Sequence, residues 1–327
     1  MRALLVTLGL IVSACATPVV QQKLPAEAPV QPEFKPEQDT FISFDGARLG
    51  LTVWEASDAP PEHVIVGLHG MNDYANAFHM LAPWLAERGV TTYAYDQRGF
   101  GRSINRGIWP DHDLLRQDLR TAIDVVQARH PETPIAVVGI SMGGAVAMTV
   151  FGSATPPEGV DRLILSGPGL RGWGALNGLY RASLWLSTHV RPGWVVRPPR
   201  GVKIEPSDNI EMLKQLWLDP LGLKDNRIDQ VYGVVTLMEE AHRSAPSLPD
   251  ALPTLLTYGA KDIVIPRSAM MRTVRTLPGH VRTAYYANGY HMLLRDLQSE
   301  IVFADLLTFL KEPSAPLPSG APQVPGR

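Results

Sequence analysis

The pentapeptide Gly139-Ile140-Ser141-Met142-Gly143 narrows the folds open to this chain more than any other feature. It follows a strongly apolar run, Ile135 to Val138, and opens a small-residue stretch, Gly143-Gly144-Ala145-Val146-Ala147. In that setting G-x-S-x-G makes a sharp strand-to-helix turn that projects the serine Oγ, and small neighbours relieve the crowding around it. Such a turn needs a sheet to stand on, and the flanking sequence supplies one. Apolar runs at His63 to Leu68, Thr91 to Tyr95, Asp161 to Ser166, Thr254 to Tyr258 and Val281 to Tyr286 alternate with helical patterns. Those patterns cover Ala75 to Arg88, Asp113 to Arg129, Arg267 to Thr276 and Asp296 to Leu310. In the second of them Leu115, Leu119, Ala122, Ile123 and Val126 share one face at helical spacing.

This alternation predicts an α/β fold, a mostly parallel sheet with helices on both faces. Phe41 to Phe44 and Leu49 to Ala56, with no helix between them, predict an antiparallel hairpin at its edge and bring the expected strand total to eight. The interruption from about Gly169 to Asp250 is too long for an unstructured loop within a compact domain. It holds Trp173, Trp185, Trp194 and Trp217 and helical patterns at Ile210 to Leu218 and Val231 to His242, so it is expected to be a helical cap over the carboxyl ends of the strands. The folded body then spans 40–311, one domain of a 327-residue chain. A net charge of −2 gives no basic footprint for nucleic acid.

The ends have a different character. Residues 1–14 carry Arg2 and an apolar run too short to span a bilayer, the pattern of a secretory signal peptide. Val12-Ser13-Ala14-Cys15 resembles the lipobox of bacterial lipoproteins, which implies cleavage before Cys15 and lipidation of that cysteine. Ala16, where an Asp would suggest retention at the inner membrane, points to the outer membrane of a bacterial cell envelope, facing the periplasm. As Cys15 is the sole cysteine, no disulfide can form within the chain. Residues 15–39 have the composition of a Pro/Gln-rich tether, and 312–327 that of a disordered Pro-rich tail.

A serine hydroxyl needs a neutral imidazole to take its proton, and the imidazole needs a carboxylate to hold its tautomer. Of nine histidines, His291 alone follows the last predicted strand in a turn, Asn288-Gly289-Tyr290-His291. Asp262 lies just past the strand Thr254 to Tyr258, and the order Ser, Asp, His is that of the α/β-hydrolases. As a rival reading, Asp262 would cap the helix after Pro266. Two backbone N–H groups are needed for an oxyanion, and Met142 and Met71 are placed to supply them. His69 is expected to be structural. So are Asp96 and Arg98 of Asp96-Gln97-Arg98-Gly99-Phe100-Gly101-Arg102-Ser103, because its glycines lack the dinucleotide-binding spacing.

Together His69-Gly70, Asp96-x-Arg98-Gly99-x-Gly101-x-Ser103, Gly139-x-Ser141-Met142-Gly143-Gly144, Asp262 and Gly289-x-His291 resemble the monoacylglycerol lipase and lysophospholipase branch of the α/β-hydrolases, often grouped with serine aminopeptidases. Leu218-Asp219-Pro220 resembles an element of that branch's cap. Asn72-Asp73-Tyr74 departs from it where Gly-Glu-His is common. The resemblance implies hydrolysis of a carboxylic ester, from a small ester or lipid substrate, with no metal or cofactor. It also makes Trp173, Leu176, Leu179, Trp185 and Leu186 candidates for an acyl pocket, against ordinary cap packing. Two alternatives stand beside it. An aminopeptidase would use the same triad with an acidic amine subsite from Glu205, Glu211, Glu239 or Glu240; a lipoprotein scaffold would be catalytically inactive.

Overall fold

The computed structural model describes residues 16–25, 29–58, 60–197 and 204–327. The signal peptide expected at 1–14 and the lipidation expected at Cys15 lie outside the described residues. The main sheet is built from β1 (Glu33–Lys35), β2 (Thr40–Ile42), β3 (Arg48–Trp54), β4 (His63–Leu68), β5 (Val90–Tyr95), β6 (Ile135–Ile140), β7 (Arg162–Ser166), β8 (Thr254–Gly259) and β9 (Arg282–Tyr286). Across the sheet the order is β9-β8-β7-β6-β4-β5-β3-β2-β1. From β9 to β5 every pairing is parallel. The last three strands join antiparallel.

The α/β-hydrolase architecture is therefore present, with one strand more than the eight expected. The extra strand, β1, comes from the segment expected to be a tether. Phe34 explains it: the ring is buried, with its centroid 4.8 Å from that of Phe41 and 5.2 Å from that of Tyr93. Prolines on both sides are tolerated because β1 is an edge strand.

Side chains alternate across the sheet as period-two geometry requires. Val64, Val66 and Leu68 of β4 pack against Leu115, Leu119 and Ile123 of α2, whose span is His112–Arg129. Ile65 faces the other way, into a second core with Leu81 and Leu85 of α1 (Leu81–Ala86) and Phe303, Leu306 and Phe309 near the chain's end. Because β5 lies on one side of β4 and β6 on the other, the crevice between the carboxyl ends of β4 and β6 is a topological switch point, where open α/β sheets place their sites. The helix leaving β6 is α3, Met142–Phe151.

The insertion between β7 and β8 contains α4 (Gly178–Val190), α5 (Ile210–Leu218) and α6 (Ile228–Ser244). Only part of it is a separate layer, because α6 buries Val234, Leu237 and Ala241 in the main core beside α3. Two further short helices follow β8 and β9: α7, Arg267–Val274, and α8, Ser299–Lys311.

The chain ends need correction too. From Ala16 to Leu24 the chain is a strap on the body. Ala16 N–H donates to His189 O, Val19 N–H to Asp229 Oδ2 and Leu24 N–H to Asp45 Oδ2, while Val20–Gln21 pair with Trp109–Pro110. The tail expected to be disordered runs along the open edge of β9. Tyr285 N–H donates to Pro322 O at 2.8 Å, Val324 N–H donates to Thr283 Oγ1 at 3.0 Å, and Val324 is buried. An uncovered edge strand is a template for aggregation, and the tail removes it. Deleting residues 313–327 is expected to lower stability by on the order of 2 kcal/mol, a midpoint drop of several degrees in thermal unfolding; an unchanged midpoint would mean that the tail contributes nothing.

Candidate active site

Ser141 sits at the carboxyl end of β6 with φ +50° and ψ −113°, a conformation that costs a non-glycine residue on the order of 1–3 kcal/mol. Its surroundings hold it there. Ser141 N–H donates to Ser166 O at 3.0 Å, and Ser141 O accepts from Gly169 N at 2.8 Å and Ala145 N at 3.0 Å. The flanking glycines are required by space. A Cβ on Gly143 would lie 2.4 Å from Leu68 O, and one on Gly139 would lie 2.7 Å from Gly143 O.

The three side chains picked out from the sequence meet here. Ser141 Oγ is 3.0 Å from His291 Nε2, and His291 Nδ1 is 2.8 Å from Asp262 Oδ2. The other oxygen of Asp262 accepts from Val264 N at 2.8 Å and Ile265 N at 2.9 Å, so the carboxylate is fixed from both sides and its side chain is fully buried. The loops bearing His291 and Asp262 are laced together: Ala260 N–H donates to Tyr286 O and Lys261 N–H to Gly289 O, each at 2.9 Å. Tyr290 N–H donates to Asp296, whose carboxyl burial pushes up to about 6. A serine, an imidazole and an acid aligned in this way can move the hydroxyl proton to Nε2 while Nδ1–H stays on the carboxylate.

The loop after β4 closes the other side. A Cβ on Gly70 would lie 3.2 Å from Ser141 Cβ, so any larger residue would crowd the serine by a few tenths of an ångström. Met71 N–H makes no backbone hydrogen bond among the described residues, and Met142 N–H, first in its helix, has no intrahelical acceptor. Both are free to meet an anion beside Oγ. His69 supports the loop: its Nδ1 is 2.7 Å from Gly70 O and its Nε2 accepts from Gln97 N at 2.8 Å. Burial holds its pKa below the ordinary histidine value, so the ring stays neutral. Arg98 is wholly buried between Asp118 and Asp45, each held through two nitrogens. Asp96 accepts from Ala75 N and from Arg102.

Several ties were not legible beforehand. Asp73 forms a buried ion pair with Arg295, four residues past His291, and so binds the β4 loop to the histidine loop. Tyr74 O–H donates to Asp219 Oδ2 at 2.6 Å, and Asn72 O accepts from Leu223 N at 2.9 Å, which joins the same loop to the cap. The departure at Asn72-Asp73-Tyr74 was visible in the sequence, but its partners lie 145 to 222 residues away.

An apolar cavity of about 500 Å³ lies under the cap. Its wall includes Leu176, Tyr180, Leu184, Trp194, Val235, Met238, Val264 and Ile265. Val264 and Ile265 are the residues whose N–H groups hold Asp262, and Met238 Cε comes within 3.0 Å of the Cβ position of Gly169, itself 3.3 Å from Ser141 O. Of the expected pocket residues only Leu176 lines it. Leu179, Trp185 and Leu186 lie on the outer side of α4, because Tyr180, Ser183, Leu184 and Ser187 make up the inward face at helical spacing. Trp173 packs instead on Tyr232 and donates to Thr236 Oγ1. No cluster of three or more His, Cys, Asp or Glu side chains is arranged to hold a metal ion among the described residues.

A family model described as serine aminopeptidase, S33, matches residues 59–298. Monoacylglycerol lipase of Mycolicibacterium smegmatis is 26% identical over 277 residues, covering 84% of this chain and 96% of its own. Monoglyceride lipase of Mus musculus is 26% identical over 276 residues, covering 81% and 88%. Among solved structures, a soluble variant of monoglyceride lipase from Saccharomyces cerevisiae, in complex with a substrate analogue, superposes with a TM-score of 0.69 at 17% identity, covering 90% of this chain and 98% of that one.

The glutamates considered for an amine subsite are engaged or exposed. Glu239 pairs with Arg272 and accepts from Gly174 N; Glu240 pairs with Arg116 and His112; Glu205 and Glu211 are exposed. The hydrogen bonds from Arg272 bring Glu239 down to about 2. A lowered carboxyl pKa stabilises the fold above the ordinary value and loses that contribution as pH falls towards the folded-state value. Glu239→Gln is therefore expected to cost about 1–2 kcal/mol in urea unfolding at pH 7, and the gap to the parent should narrow as pH drops below about 4.5. A gap that stays constant with pH would assign the effect to something other than this ion pair.

Proposed function

Because the chain belongs to the serine aminopeptidase S33 family, we propose that it hydrolyses single-chain lipid esters, monoacylglycerol or lysophospholipid-like, through an acyl-enzyme on Ser141. The chain is a carboxylic ester hydrolase, as its monoacylglycerol lipase relatives indicate. The observation that carries the finer reading is the Ser141–His291–Asp262 line beside an apolar cavity of about 500 Å³, a volume within the range of pockets that enclose small ligands.

In this reading Ser141 Oγ attacks the ester carbonyl carbon while its proton passes to His291 Nε2. The carbonyl oxygen becomes an oxyanion facing Met71 N–H and Met142 N–H, each contributing about 2.7–4 kcal/mol to transition-state stabilisation. The C–O bond then breaks as His291 returns the proton to the leaving alcohol. Water, deprotonated by the same nitrogen, attacks the acyl carbon, and the C–Oγ bond breaks as His291 passes that proton to Ser141 Oγ and the acid leaves. Asp262 keeps Nδ1 protonated throughout and stabilises the imidazolium. The acyl chain occupies the cavity under α4. Lipidation at Cys15 would hold the enzyme on a bacterial envelope membrane, the outer one facing the periplasm.

Ser141→Ala is expected to lower the rate by at least about three orders of magnitude with the fold intact. A fluorophosphonate probe should label Ser141 in the parent, and absence of labelling where control hydrolases react would remove the nucleophile from this reading. On p-nitrophenyl esters graded by length, Val235→Trp, which fills the cavity, should cost the long esters at least about tenfold more than the acetate. Faster turnover of aminoacyl arylamides than of any ester would overturn the ester reading in favour of an aminopeptidase.

A further inference from the structure

The peptide N–H groups on either side of His291 are both held, and by different partners. Tyr290 N–H donates to Asp296 Oδ2 and Met292 N–H donates to Pro206 O, each at 2.8 Å. Pro206 belongs to the insertion between β7 and β8, in the segment 206–209 that leads into α5. Three further bonds lay that segment along the histidine loop. Ser207 O–H donates to Asp296 Oδ1 at 2.7 Å, Asn209 Nδ2 donates to Arg295 O at 3.1 Å, and Leu297 N–H donates to Asp208 Oδ1 at 2.9 Å. Asp296 touches both sides: one carboxylate oxygen holds the residue before His291, and the other holds the cap.

A carboxylate in this place is costly. Asp296 and Ser207 are each 1% exposed, and Asp296 has no ion-pair partner among the described residues, since the neighbouring Arg295 is turned to Asp73. Burial pushes its carboxyl up to about 6 and Asp208 adds to the rise, while Tyr290 N–H, Ser207 O–H and His291 oppose it. Asp296 is therefore ionised at neutral pH, and both of its bonds are made to a charged acceptor, the stronger kind. A buried charge with two donors and no cation is not explained by stability alone. We propose that Asp296 is a positioning residue for His291: through Ser207 O–H and Tyr290 N–H it carries the seating of the segment 206–209 to the imidazole, so that His291 lines up with Ser141 when this part of the cap is docked. The inference rests on the reading of His291 as general base given above. A reacting group displaced by about 1 Å can cost about 100-fold in rate. Asp296 does not line the apolar cavity, so its loss acts on the alignment of the base and leaves the acyl site untouched.

The expected signature is a loss in kcat with KM little changed. Turnover of p-nitrophenyl butyrate and the rate of fluorophosphonate labelling at Ser141 are measured on full-length protein, well below the melting midpoint of each variant. Asp296→Ala should lower kcat and the labelling rate by at least about tenfold, with KM within about twofold of the parent. Asp296→Asn, whose amide can accept from Tyr290 N–H and donate to Ser207 Oγ, should keep at least about a third of kcat. Ser207→Ala, which cuts only the tie to the cap, should lower kcat by at least about threefold, and the double variant should lose no more than Asp296→Ala alone. A folded Asp296→Ala with the parent's kcat would overturn the inference and leave Asp296 as a fastener of the fold. So would equal losses in the Asn and Ala variants, or losses that multiply in the double variant. Should Asp296→Ala not fold, Ser207→Ala decides, and a kcat equal to the parent's would overturn the inference. Labelling of the parent at Ser141 tests the hydrolase reading by itself, so its failure is distinguishable from a failure of the role given to Asp296.

Discussion

The catalytic half of the molecule depends on one strained residue, Ser141, held at φ +50° at the end of β6. The strain is bearable because three backbone hydrogen bonds and two glycines without room for a methyl group leave the chain no other course. Gly143 against Leu68 O has a second effect, since it brings the start of α3 onto the end of β4. The loop carrying Met71 must therefore pass beside the serine. Ser141 and the N–H groups of Met71 and Met142 are brought together by the same close approach.

Around that point the polar residues serve as fasteners. Arg98 satisfies two buried carboxylates with paired hydrogen bonds, joining Asp45 of the β2–β3 turn to Asp118 of α2; removing one partner of such a group costs on the order of 3–5 kcal/mol because the rest stay charged and buried. Gln97 donates to His69 twice, from its backbone N–H to Nε2 and from its side-chain amide to the carbonyl oxygen, and so joins the loops after β4 and β5. Asp73 and Arg295 do the same between the β4 loop and the histidine loop. The loops that bear the site are thus tied to one another as well as to their strands.

How much of this was legible in the sequence follows from what the local patterns depend on. Period-two and period-3.6 patterns come from burial against a core, so the parallel strands and α2 could be placed directly. The triad residues were legible because each follows a strand whose carboxyl end is fixed by the sheet. The edge strand β1 was hidden because a single buried ring, Phe34, carries it amid prolines. The tail was hidden for the same reason, with Val324 buried and only Leu317 and Ala321 packed part-way against the core. On α4 apolar character alone misplaced the pocket: it does not say which side of a helix faces inward, and here Tyr180, Ser183, Leu184 and Ser187 do so while Leu179 and Leu186 do not. The ties of Asn72, Asp73 and Tyr74 link positions far apart in the chain, which no local pattern records.

The bond from Tyr74 to Asp219, with that from Leu223 to Asn72, makes one thermodynamic unit of two parts that might have moved separately. By reciprocity of linked equilibria, whatever free energy a bound anion spends in steadying the Met71 loop also steadies the cap segment around Asp219, and a cap segment already settled raises the affinity of that loop for an anion by the same factor. In the proposed mechanism, order in this cap segment and stabilisation of the oxyanion would then belong to a single equilibrium.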